Sequence, residues 1–183
     1  MVKPMRETTL VLGGARSGKS RHAEMLARAS CGPHHYIATA EIRDDAEMAA
    51  RIARHRAERG GGWTTHETPF ALVERLEALV AAPSPVVVLD CLTLWLTNLI
   101  LDDRDIAAES RRLADFVARC PYRLIMVSNE VGLSIVPDNA LARRFRDEAG
   151  ILNQTIAAAS SEVIFMAAGL PLHLKNGSQA TDT

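Results

Sequence analysis

Gly13-Gly14-Ala15-Arg16-Ser17-Gly18-Lys19-Ser20 fits the pattern G-x-x-x-x-G-K-[ST], a spacing suited to holding phosphates. Glycines at 13, 14 and 18 let the backbone turn tightly and aim successive N–H groups at an anion. Lys19 adds a mobile cation for terminal phosphates, and the Ser20 hydroxyl is a ligand type that Mg²⁺ accepts. The surroundings agree: Thr9–Leu12 reads as a strand and Arg21–Arg28 as a helix whose positive dipole end faces the same phosphates. A nucleoside triphosphate is the expected ligand. The plain alternative is a Gly-rich strand-to-helix turn followed by a stray Lys-Ser.

A second stretch, Arg51-Ile52-Ala53-Arg54-His55-Arg56-Ala57-Glu58-Arg59, sets one imidazole among four guanidiniums. His55 follows Ile52 by three residues and Met48 by seven, which would extend the apolar face of a helix. Alternatively, the cations keep the ring neutral and nucleophilic while the arginines hold a triphosphate beside it. A neutral imidazole nitrogen attacks phosphorus and forms a covalent intermediate. Spacing alone leaves both readings open. A third feature is Asp90, which ends the run Pro85-Val86-Val87-Val88-Leu89. A buried parallel strand delivers a carboxylate to the sheet edge in this way, as a partner for Mg²⁺; a helix N-cap is the compatible alternative.

These residues need elements to position them. The sequence predicts strands at His34–Thr39, Trp63–Thr68, Pro85–Asp90 and Arg123–Ser128, and two closing strands at Glu162–Met166 and Leu170–Lys175. Between them it predicts helices at Asp45–Arg59, Pro69–Ala82, Leu92–Leu101, Asp105–Arg119 and Asn139–Ser160, the last with a kink at Gly150. Val131–Pro137 reads as a loop with an apolar exposed look. The alternation implies an α/β, P-loop NTPase-like fold: a mainly parallel sheet with helices on both faces and an antiparallel C-terminal edge. Ser20, Thr39, Asp90 and Asn129 would share the edge where ligands bind. Residues 1–175 are expected to form a single domain and 176–183 a polar, disordered tail.

Composition limits the function classes. The chain has 183 residues, 48% hydrophobic and 23% charged, with net charge −1, so no general basic field awaits a nucleic acid. Cys31, Cys91 and Cys120 form no C-x-x-C pair, which argues against zinc or a disulfide framework. His34 and His35 alternate across a strand and are poorly placed to chelate one metal, while His22, His66 and His173 are scattered in sequence. Leu92–Leu101 is half the length of a membrane span. A soluble cytoplasmic protein is expected.

Taken together, the chain resembles the bifunctional adenosylcobinamide kinase / adenosylcobinamide-phosphate guanylyltransferase family of cobalamin biosynthesis. The matching residues are Gly13 to Arg21, Tyr36-Ile37-Ala38-Thr39-Ala40, Met48 to Ile52 leading to His55, Leu89 to Thr93, Thr97-Asn98-Leu99, Asn129 to Gly132, Ile135 to Asn139, Arg143, Phe145-Arg146-Asp147 and Asn153-Gln154. The resemblance implies an enzyme that phosphorylates adenosylcobinamide with ATP or GTP. It then transfers GMP from GTP to the new phosphate through a guanylylated histidine, releasing pyrophosphate. It further implies His55 and Lys19 as catalytic residues, nucleotide contacts at Gly13–Ser20, Thr39, Ala40, Glu41, Arg56, Ala57, Glu58, Arg59, Glu67 and Asp90, and a homotrimer, for which helix Leu92–Leu101 offers an apolar interface. Two positions differ from the family pattern: Arg54 stands where relatives can carry a second histidine, and Asp90 where they can carry Glu. One site must present two different phosphorus atoms, which suggests movement of Asp45–Gly62. A simple small-molecule kinase and a nucleotide-driven switch with an inert His55 are the competing readings.

Overall fold

The structure, a computed structural model, describes residues 7–41 and 60–176. The expected helix Asp45–Arg59, with His55 and its arginines, lies outside the described residues, as does the tail after Asn176.

A seven-stranded sheet runs through the molecule. Its strands are β1 Thr8–Gly13, β2 His34–Ala38, β3 Trp63–Glu67, β4 Val86–Asp90, β5 Arg123–Asn129, β6 Glu162–Ala167 and β7 Leu170–Lys175, in the order β3-β2-β4-β5-β1-β6-β7. The first six are parallel, and β7 closes the edge antiparallel to β6. β1, β4 and β5 read as near-continuous apolar runs because both faces are covered. Alternation along the strands divides the core. On one face Leu10, Leu12, Val87, Leu89, Leu124 and Met126 pack with α2 Leu72–Ala78, α3 Leu92–Leu101, α4 Ile106–Arg119 and α5 Ala140–Ala159. On the other, Val11, Val86, Val88, Ile125 and Val127 meet Ala23 and Ala27 of α1, Lys19–Arg28.

The expected fold class is therefore the observed one, with local corrections. The segment after Pro69 becomes helical only at Leu72, because Ala71 is not in a helical conformation; it closes with a 3₁₀ turn at Leu79–Ala81. Helices α4 and α5 begin one residue inside their expected bounds, since Asp105 and Asn139 act as caps that accept from Ala108 N and Ala142 N. α5 continues past Gly150 as one helix. Helix α3 is not the exposed apolar surface expected of it: Leu92, Trp95, Leu96 and Leu99 are core residues. The β6–β7 turn is Ala168-Gly169, both with positive φ (52° and 79°), the backbone of a two-residue hairpin whose twist suits the strands.

Candidate active site

Parallel strands bring their carboxyl ends to one edge, so Gly13, Ala38, Glu67, Asp90 and Asn129 line up there from separate parts of the chain. The register pairs Gly13 with Asn129, while Asp90 sits on the far side of β5 from the loop strand. Asn129 thus separates the phosphate loop from the carboxylate.

The loop itself is tightly built. Gly13 has φ 154°, and a Cβ there would lie 2.6 Å from both the Met166 carbonyl and Ser17 Oγ. Gly18 precedes α1 in a left-handed conformation (φ 94°), and no side chain caps the helix. Its first amides are left for a ligand, where the helix dipole favours an anion. Arg16 also has positive φ, at 55°. Lys19 is buried, and its Nζ donates to the Gly14 carbonyl at 2.6 Å, which folds the cation back over the loop. Ser20 is half-buried at the start of α1, Ala15 and Arg16 are exposed, and the Ser17 hydroxyl is buried without a hydrogen-bond partner.

A polar network backs this edge. Tyr36 Oη donates to Asp90 Oδ2 at 2.8 Å, which orients the half-exposed carboxylate. Thr39 is fully buried: its hydroxyl donates to the Cys91 carbonyl at 2.7 Å and accepts from Cys91 N, and its amide donates to the Asp90 carbonyl. The Thr39 side chain is thus held inside the protein, whereas Ala40 and Glu41 beyond it are half-buried and Glu67 is exposed. Asn98, buried in α3, donates to the Thr39 carbonyl at 2.8 Å and to the Pro69 carbonyl at 3.0 Å. Trp95 Nε1 reaches the Phe70 carbonyl at 3.1 Å. One buried helix thus ties together the segments that follow β2 and β3.

Closer to the loop, Asn129 Nδ2 donates to Thr93 Oγ1 at 2.6 Å, and Asn153 Nδ2 to the Asn129 carbonyl at 3.2 Å. Burial, reinforced by the Asp90 carboxylate, pushes the Cys91 thiol up to about 11; the Lys19 charge pulls the other way. The thiol is protonated and packs as an apolar group.

The histidines are closer together than their sequence positions suggest. His34 bonds the Ala27 carbonyl on one face of β2, while on the other His35 Nδ1 meets His66 Nε2 at 3.0 Å. His173 contacts Glu162 at 3.2 Å, and burial first, then the nearby His173, disfavours protonation of His22. Among the described residues no group of three His, Cys, Asp or Glu side chains comes together to hold a metal, and no helix is long and apolar enough to cross a membrane.

The family described as cobinamide kinase / cobinamide phosphate guanyltransferase matches this chain over residues 9–174. The bifunctional adenosylcobalamin biosynthesis protein CobP of Pseudomonas aeruginosa is 50% identical over 168 residues, which cover 91% of this chain and 96% of that protein. The CobU protein of Escherichia coli is 45% identical over 181 residues, covering 91% and 98% respectively. The chain belongs to this family. Among solved structures, the flagellar accessory protein FlaH of Methanocaldococcus jannaschii superimposes with a TM-score of 0.54 at 13% identity, covering 94% of this chain and 80% of its own. A second solved structure, an ATPase domain, gives 0.52 at 12% identity, covering 96% and 79%. At such identities the likeness is one of fold alone.

Within the cobinamide kinase / guanyltransferase frame, sequence reasoning matched Tyr36, Thr93 and Asn98 to the family pattern without giving them a supporting role, and missed Trp95. A signal for one of them was present. Asn98 is an amide in the middle of an otherwise apolar helix, and a buried amide has to find partners.

Proposed function

We propose that the chain phosphorylates the alcohol arm of adenosylcobinamide with ATP or GTP, then transfers GMP from GTP to that phosphate through a guanylyl–His55 intermediate. The observation that carries the reading is the Gly13–Ser20 loop with Lys19 seated over it, in a chain half identical to a bifunctional relative along nearly its whole length.

In the kinase step the substrate oxygen forms a bond to the γ-phosphorus as the bond to the bridging oxygen of the diphosphate breaks. The substrate hydroxyl passes its proton to solvent. Loop amides, the uncapped start of α1 and Lys19 neutralise the charge on the phosphates, so catalysis is mostly positioning. Ser20 and Asp90 offer only oxygen ligands, which suits Mg²⁺, and with no protein cage among the described residues the nucleotide phosphates would supply most of its coordination. Bound there, the ion would neutralise phosphate charge; Tyr36 holds Asp90 in place for it.

In the transferase step a His55 nitrogen bonds to the α-phosphorus and pyrophosphate leaves. A phosphate oxygen of the corrinoid then displaces the histidine, giving adenosylcobinamide-GDP. Ala40, Glu41, Glu67, Arg56, Ala57, Glu58 and Arg59 are assigned to the nucleotide by family resemblance. A homotrimer is proposed on the same basis, and a cytoplasmic location on the cysteine pattern. The edge strand β7 supports an assembly, since Leu170, Leu172 and Leu174 alternate onto one face and are 70%, 58% and 58% exposed.

Product analysis with cobinamide, ATP and GTP separates the steps. The wild type is expected to make the phosphate and the GDP-linked product, His55→Ala the phosphate alone, and Lys19→Ala the phosphate at a rate reduced about 10²–10³-fold. GDP-linked product formed by His55→Ala at the wild-type rate would refute the histidine route.

A further inference from the structure

The segment that leaves β5 starts at the phosphate loop: Glu130 N donates to the Gly13 carbonyl at 3.0 Å. From there Val131-Gly132-Leu133-Ser134-Ile135-Val136-Pro137 runs without a charge. Leu133 is 83% exposed, Ile135 94% and Val136 59%. Isolated exposed apolar residues are ordinary, but three within four residues beside a polar site form a patch that calls for a partner. The segment leads into a groove of about 280 Å³ between α3 and the start of α5, lined by Thr97, Ile100, Leu101, Asn139, Leu141 and Phe145.

Placement decides what that partner is. Asn153 of α5 bonds the carbonyl of Asn129 at the sheet edge, and Leu141 lies twelve residues earlier. At 1.5 Å per residue Leu141 is roughly 18 Å from Asn153 along α5, while on α3 the groove residue Thr97 adjoins Asn98, which bonds the Thr39 carbonyl at the same edge. The stretch between phosphate loop and groove exposes Leu133, Ile135 and Val136, flanked by Glu130 and Asp138. A small alcohol has no use for it. A macrocycle carrying its acceptor hydroxyl on an arm does, because the bulk of such a substrate must rest on something while only the arm reaches the γ-phosphate.

Resting on the function proposed above, we propose that Leu133, Ile135 and Val136, with the groove at Leu141, form the seat for the corrin ring of the substrate. The apolar loop takes the macrocycle, and the groove, too small for the ring itself, takes one of its peripheral arms beside the Thr97 hydroxyl and the Asn139 amide.

The test is steady-state kinetics of cobinamide phosphorylation by the full chain carrying Leu133→Ser, Ile135→Ser or both, with molar mass followed by light scattering. Both side chains are exposed, so folding is retained, and thermal melts verify it. The expected result for the double variant is a cobinamide KM raised roughly tenfold, as loss of apolar contact of this size predicts. Its kcat, nucleotide KM, GMP labelling by GTP alone and molar mass stay at wild-type values. An unchanged cobinamide KM overturns the assignment, and so does a fall in molar mass, which would make the loop a contact between copies of this chain. Wild-type turnover with unshifted variants sinks the seat alone. A wild type that does not phosphorylate cobinamide sinks the underlying reading and the seat with it.

Discussion

Asn98 has a single side-chain NH₂ group and two carbonyls to satisfy, Thr39 and Pro69, on segments that follow different strands. Replacing it with Ala leaves a buried and a part-buried oxygen without that donor, at a cost of about 2–4 kcal/mol. Chemical denaturation should register the loss, and the nucleotide KM should rise because the Ala40–Glu41 segment loses its anchor. Lys19→Ala acts differently. Its stability should change little, while kcat/KM for phosphorylation falls by about 10²–10³-fold, the scale of losing one charge-stabilising donor. Three histidines give the molecule an acid limit. Burial lowers the pKa of His22, His35 and His66 below the ordinary 6.5, helped by His173 at His22, by His34 at His35, and by Arg75 and His35 at His66. Below pH 6.5 the unfolded chain takes up protons that the folded chain resists, so stability is full above that value and declines as pH falls through it. Melting temperatures measured from pH 7.5 down to about 5 should fall, and a melting temperature independent of pH there would remove this account.

At the scale of elements, glycine identifies which turns are structural and which belong to the site. Gly32 has φ 132°, and a Cβ on it would lie 2.3 Å from the Ser84 carbonyl. Gly32→Ala should cost roughly 2 kcal/mol or more yet leave the activity of the folded protein intact, since the turn lies at the opposite end of β2 from the site. Gly13→Ala, crowded by Met166 and Ser17, should damage stability and nucleotide affinity together. The sequence made the strands legible because β1, β4 and β5 are apolar runs bounded by polar residues, and the loop legible because its spacing is chemical. It misplaced α2 because the residue after Phe70 leaves helical geometry, a consequence of the tertiary ties from Trp95 and Asn98 to Phe70 and Pro69. It misjudged α3 because periodicity cannot tell a helix buried all round from one with an unpartnered apolar face. The contacts at Thr93, Asn98 and Asn129 were illegible for a related reason: they join residues distant in sequence, and only the strand order brings them together.

For the whole molecule, the sheet order brings the phosphate loop and the Asp90 carboxylate to a single edge. β1 supplies the phosphate loop, and β4, beyond β5, supplies the carboxylate, leaving Asn129 between them. The edge strand β7 turns three leucines outward. Leu172→Asp should lower the molar mass measured by light scattering, whereas a wild type that is already monomeric would withdraw the proposed trimer. The central claim, transfer of GMP through one histidine of a phosphate-loop protein, is tested most directly by mass spectrometry of the protein after incubation with GTP alone. The account predicts a mass gain of one GMP, stable in alkali, lost in acid and mapped to the peptide bearing His55. An unmodified protein, or GMP attached to any other residue, would contradict it.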